Sequence, residues 1–117
     1  MPLTALESYI GTLRDKGYYP FVAMFSWSYQ DDLIAVDRLK QYLGTSYPDT
    51  GIDSETAQAY YLTGARTYLL IGYTNSPIGL QRLCSSVIFN TPIQANIYHA
   101  VEAHQLLSVL PAAQANP

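Results

Sequence analysis

Two histidines, one cysteine and a few carboxylates are the side chains on which chemistry near neutral pH would have to rest. His99 and His104 straddle a strand-to-helix junction, and no carboxylate-rich motif nearby completes a metal-ligand set. His99 alternates with Ile97 and Val101, which reads foremost as a packed, hydrogen-bonded histidine. A general base or a haem ligand is the sharper alternative. Cys84 follows Leu80 and Leu83 and precedes Val87 on one apolar stripe. A reactive thiol needs exposure and a thiolate-stabilising neighbour, so this one reads as an inert core residue. Asp31 and Asp32 are adjacent and cannot face one another on a helix, so they read as dipole-compensating residues at a helix start. Glu55 and Arg66 flank a hairpin at its two ends, where an exposed pair or no contact is the default. Gly51-Ile52-Asp53 and Gly72-Tyr73 lack the spacing of a phosphate loop. The residues imply neither a cofactor nor a metal.

The aromatic residues are the richer resource. Trp27, Tyr60, Tyr61, Tyr68, Tyr73 and Tyr98 come from four strand-like runs, and a cavity lined by aromatics with a few polar groups is the usual form of a small-ligand site. The plainer alternative is that they fill an interface between subunits. If a ligand is handled, its site is expected near Trp27, Tyr68, Asn96, Tyr98 and His99. These combine apolar area with hydroxyl, amide and imidazole groups. The loop at 45–53 offers only small turn residues.

The elements that must position these residues follow from periodicity. Leu3, Leu6, Ile10 and Leu13 recur at helical spacing, and Gly17 stops the helix. Tyr18–Ser28 is aromatic and β-rich and reads as a strand. Gln30–Leu43 is a second helix with the stripe Leu33, Val36, Leu39 and Leu43, ended by Gly44. Two β-rich runs, 55–63 and 66–74, surround Gly64-Ala65 and predict a two-residue type II′ hairpin pairing Tyr61 with Tyr68 and Ala59 with Leu70. One hairpin face is then small (Ala57, Ala59, Gly72), admitting a close-packed helix or leaving room for a ligand. Ser76-Pro77 marks a third helix start, since Ser caps and Pro suits the first helical position. Asn90-Thr91-Pro92 closes that helix. Ile93–Val101 alternates Ala95, Ile97, His99 and Val101 against Gln94, Asn96 and Tyr98, the pattern of a half-buried strand. A terminal helix turn over 102–110 and a frayed tail at 111–117 complete the chain.

The resulting class is α+β: a β-α-β-β-α-β core at 18–110, antiparallel and four-stranded in the ferredoxin-like manner, with an extra N-terminal helix at 1–17. All 117 residues read as one domain. Only 13% of the chain is charged against 49% hydrophobic, and eleven residues are tyrosine. From Leu83 to Pro117 the single formal charge is Glu102. A solvated surface normally carries many charged side chains, so this third is expected to lie against something, most simply a second copy in a homodimer or higher oligomer. A net charge of −3 with six Lys and Arg argues against nucleic acid and against anionic membrane surfaces. One cysteine and no signal-like N-terminus suggest a cytoplasmic protein.

From Tyr18 to about Leu110 the chain resembles the dimeric α+β-barrel superfamily, whose members pair two ferredoxin-like sheets face to face. The stretch Tyr68–Val101 (YLLIGYTNSPIGLQRLCSSVIFNTPIQANIYHAV) is similar in layout to the muconolactone isomerases and their small uncharacterised relatives. There a strand ends in a short polar turn, a helix follows, and the last strand returns after a brief loop. The resemblance implies a dimer, and members include isomerases, cofactor-independent monooxygenases, haem-degrading enzymes and proteins without known activity. It carries no catalytic residue over by motif. Two functions are therefore expected. One is a binder of, or cofactor-free enzyme acting on, a small apolar or aromatic ligand. The other is an assembly module without chemistry. A binder needs a cavity of roughly 300 Å³ or more between sheet and helices, and an assembly module does not.

Overall fold

Helix punctuation sets the frame. The computed structural model describes residues 3–43, 47, 50–62, 64–99 and 113–115. Helix α1 (Leu3–Asp15) ends in a paired C-terminal motif: Gly17 N–H donates to the Arg14 carbonyl and Tyr18 N–H to that of Leu13, at 3.0 and 2.9 Å. Gly17 takes φ +87°, a conformation that favours a residue without Cβ. Helix α3 (Pro77–Ile88) starts where expected, with the Ser76 hydroxyl accepting from Gly79 N–H at 3.0 Å. Its C-terminal carbonyls are held from the neighbouring helix α2 (Asp32–Leu43). Arg38 donates to the carbonyls of Phe89, Ser86 and Val87, placing a cation at the negative end of the helix dipole.

Strand β1 (Tyr19–Ser26) lies between β3 (Thr67–Thr74) and β4 (Gln94–Tyr98), and β2 (Gln58–Leu62) pairs with β3. All pairings are antiparallel. A short fifth strand, β5 (Ala113–Ala115), pairs with β2, so the sheet order is β4-β1-β3-β2-β5. The segment read as a tail thus includes a strand that lengthens the sheet. This α+β architecture is consistent with the ferredoxin-like pattern. Among the described residues no helix is long and apolar enough to cross a membrane.

The hairpin pairs in the expected register, Tyr61 with Tyr68 and Ala59 with Leu70. Its turn is not the expected two-residue connection. Leu62–Thr67 is the last pair, Ala65 N–H donates to the Leu62 carbonyl, and Gly64 and Arg66 take φ +80° and 46°. Opening one further residue on each strand leaves every other pair unchanged, so the register survives the longer turn.

Side-chain alternation divides the sheet. Phe21, Ala23, Phe25, Ala59, Tyr68 and Leu70 face the helices and pack with Ala35, Leu39 and Leu43 of α2 and Leu80, Cys84 and Val87 of α3. Of the expected stripe of α2, Leu39 and Leu43 are buried and Val36 packs against this core, but Leu33 does not join it. Leu33 is 88% exposed, and the smaller Ala35 lies fully buried on the sheet. The small hairpin face is filled as well: a Cβ at Gly72 would meet Ala57 at 3.3 Å and the Phe21 ring at 3.5 Å. On the opposite face Val22, Leu69 and Ile71 form a second cluster, 1–3% exposed within the single chain.

Candidate functional site

The end of the sheet where β1 stops carries the densest polar arrangement near an expected site residue. Trp27, one step past β1, is buried and donates its indole N–H to Asp32 Oδ1 at 2.8 Å. The same oxygen accepts from Arg66 Nε at 3.1 Å, and the Arg66 guanidinium lies over the Tyr29 ring, 5.5 Å from its centroid. Trp27 also approaches Tyr61, ring centroids 6.0 Å apart. Asp32, read as a helix-dipole residue, is thus the hub that joins β1, the hairpin turn and α2. The i, i+5 step from an indole to a carboxylate belongs to no sequence pattern, so nothing in the chain announced it. Arg66 pairs with this aspartate and not with Glu55, which is exposed.

Beside this cluster, Ser26, Trp27, Ser28, Pro92 and Gln94 line a half-open depression of about 180 Å³. That is smaller than the roughly 300 Å³ of ordinary small-molecule sites. Of the five expected site residues, only Trp27 borders it.

The other four go elsewhere. Tyr68 is buried on the helix side of β3, opposite Phe25 and Tyr61. Asn96 and Tyr98 sit on β4 opposite Met24 and Val22, exposed and on the other face of the sheet. His99 follows the end of β4 and is exposed, its ring 5.4 Å from that of Tyr19 and tilted by 60°. The side-chain alternation carries it with Ile97 to the helix side, but past the sheet's end. At ~3.4 Å per residue, His99 is about 17 Å along the strand from Gln94 at the depression. Two faces and two ends of the sheet separate the five residues. The Tyr19 hydroxyl beside His99 is buried without a hydrogen-bond partner among the described residues, and burial raises its pKa.

The thiol of Cys84 is buried in the helix-side core, and burial pushes it up to about 11. That is a thiol, not a thiolate, at neutral pH. Among the described residues no group of three or more His, Cys, Asp and Glu side chains is placed to hold a metal ion. His104 lies outside the described residues.

A second network was not anticipated. Tyr9 of α1 donates its hydroxyl to Asp53 Oδ1 at 2.7 Å, while Asp53 Oδ2 accepts from the backbone N–H and hydroxyl of Thr56. The hydrogen bond to Asp53, with burial, raises the Tyr9 phenol to about 12. The Asp-x-x-Thr spacing at 53–56 is a turn signal that could have located half of this network; its partner in α1 is remote in sequence. A Cβ at Gly79 would collide with the Thr50 carbonyl, so Thr50 packs closely against the first turn of α3.

No protein-family model, curated protein or solved structure matches this chain.

Proposed function

We propose that this protein is a self-assembling α+β module that pairs with a second copy, its sheet acting as scaffold and not as the floor of a catalytic cavity. The observation that carries this reading is the surface of β4. Gln94, Asn96 and Tyr98 are exposed, Phe89 just before the strand is 68% exposed, and from Leu83 to His99 no side chain is formally charged. Exposed surface without Lys, Arg, Asp or Glu is uncommon on a solitary soluble domain and suits a contact that excludes water. The ligand-handling alternative draws less support, because its expected residues are dispersed and the depression at Trp27 is small. The face-to-face barrel suggested by the resemblance also has less to work with, since Val22, Leu69 and Ile71 are already covered within one chain.

Sedimentation equilibrium over about 1–100 µM tests the reading. A species of twice the 13.0 kDa chain mass is expected. A monomer throughout that range overturns it.

A further inference from the structure

We infer that the partner of β4 is β4 of a second copy, paired antiparallel about a two-fold axis through Asn96, so that two sheets become one. The inference rests on the assembly reading above and adds to it the contact and its register.

Backbone hydrogen bonds fix which groups of β4 face outward. Trp27 N–H donates to the Arg66 carbonyl, so at the end of β1 the odd-numbered residue turns its backbone groups toward β3. The Tyr73 carbonyl, opposite Pro20, accepts instead from Asp53 N–H on the side away from β1, as the same alternation requires. Even-numbered Val22, Met24 and Ser26 therefore turn toward β4, and so do their partners Tyr98, Asn96 and Gln94 turn toward β1. Ala95 and Ile97 are left with N–H and C=O directed off the edge of the sheet. Among the described residues nothing pairs with that edge.

Natural sheets protect such an edge with lysines, an internal proline, a bulge or a covering segment. Strand β4 has none of the first three. It holds no charge and no proline, and it pairs with β1 residue for residue over its whole length. On the other side of the sheet the outermost strand is β5, paired to β2 and only three residues long, and a very short edge strand is itself a way of blunting an edge. An uncharged edge repels no copy of itself, and a two-fold contact needs only self-complementarity.

The chemistry of the strand sets the register. With the axis at Asn96, each Ala95 faces Ile97 of the other copy, and both bonds are exchanged at each such pair. Asn96 then meets its own copy in the narrow, non-hydrogen-bonded position, amide to amide, and Gln94 meets Tyr98. Every exposed side chain on that face thus finds a neutral hydrogen-bonding partner. Helix α3 packs on β4, so the two-fold also runs the two copies of α3 antiparallel on either side of the axis. A strand contact alone falls short of the roughly 1,200 Å² of stable interfaces, and the flanking helices are the elements positioned to extend it.

The test is a cysteine placed on the axis. Residues facing each other in a non-hydrogen-bonded pair have Cα atoms about 4.5 Å apart, within disulfide range. Asn96→Cys under mild oxidation is expected to convert most of the protein to a reducible dimer on a denaturing gel, whereas Lys40→Cys on the exposed side of α2 stays monomeric. The native Cys84 is 5% exposed and does not compete. As an independent arm, Ala95→Pro removes an outward N–H while leaving the β1–β4 bonds in place. It is expected to weaken association at least tenfold, with the circular dichroism spectrum retained. If the wild type is dimeric but Asn96→Cys does not cross-link, the edge contact is wrong and the assembly reading survives. If the wild type is monomeric, both fail.

Discussion

Asp32 shows how one side chain can matter through what it satisfies more than through the charge it carries. Its ion pair with Arg66 is more than one-third exposed on both sides, 43% and 38%, and such pairs contribute under about 1 kcal/mol. The Trp27 indole N–H is another matter, because a buried donor left without an acceptor costs about 1–3 kcal/mol. Asp32→Ala is therefore expected to destabilise the fold by about 2 kcal/mol and Arg66→Ala by less than 1 kcal/mol. Urea unfolding followed by the fluorescence of Trp27, the single tryptophan, measures both; equal losses would mean that the ion pair, and not the indole, is the important contact. Tyr9 makes a prediction with a pH signature. Its phenol, raised from 10.0 to about 12, favours the folded state while protonated, so its contribution is complete below pH 10 and fades as pH rises toward 12. Tyr9→Phe should lose about 1 kcal/mol at pH 8, with the gap to wild type closing above pH 10. A gap that stays constant to pH 12 would assign the loss to packing alone.

At the scale of elements, the glycines separate two effects that composition alone would merge. In Gly11 of α1 a Cβ would meet nothing within 4 Å, whereas at Gly79 of α3 it would collide with the Thr50 carbonyl. Gly11→Ala is expected to stabilise by about 0.5–1 kcal/mol through helix propensity. Gly79→Ala is expected to destabilise despite the same propensity gain, and thermal unfolding of the two variants gives opposite signs. Ser76→Ala, which removes the cap, should cost about 1 kcal/mol; an unchanged melting temperature would contradict the cap's role. The ends of α1 and α3 were legible in the sequence because Gly17 and Ser76-Pro77 act through local backbone rules. The hairpin register was legible because alternation pins it even when the turn is misjudged. The exchange of Leu33 for Ala35 on the buried side of α2 was not, since hydropathy ranks Leu33 above Ala35 while the close approach of helix to sheet favours the smaller side chain. The candidate site was legible only as a list. Its residues were chosen for chemistry, and strand parity assigns Asn96 and Tyr98 to one face and Tyr68 to the other.

At the scale of the whole molecule, the scarcity of charge after Arg82 was visible before any coordinate, but where that neutral surface would fall was not. It falls on β4, an outer strand, and that location follows from a strand order set by contacts remote in sequence. The short strand β5 then acquires an importance beyond its three residues. In the language of polymer chemistry, the β4 contact proposed above would make the sheet a monofunctional unit: it would couple once, and the product would have no growing end. β5 would then be the end-group, occupying β2 along Tyr60–Leu62 and offering only a three-residue edge of its own. Removing residues 113–117 would make the unit bifunctional, so that each coupling leaves another site to extend. Light scattering on that truncated protein should show mass growing with concentration beyond the pair, while the same truncation combined with Ala95→Pro should stop the growth.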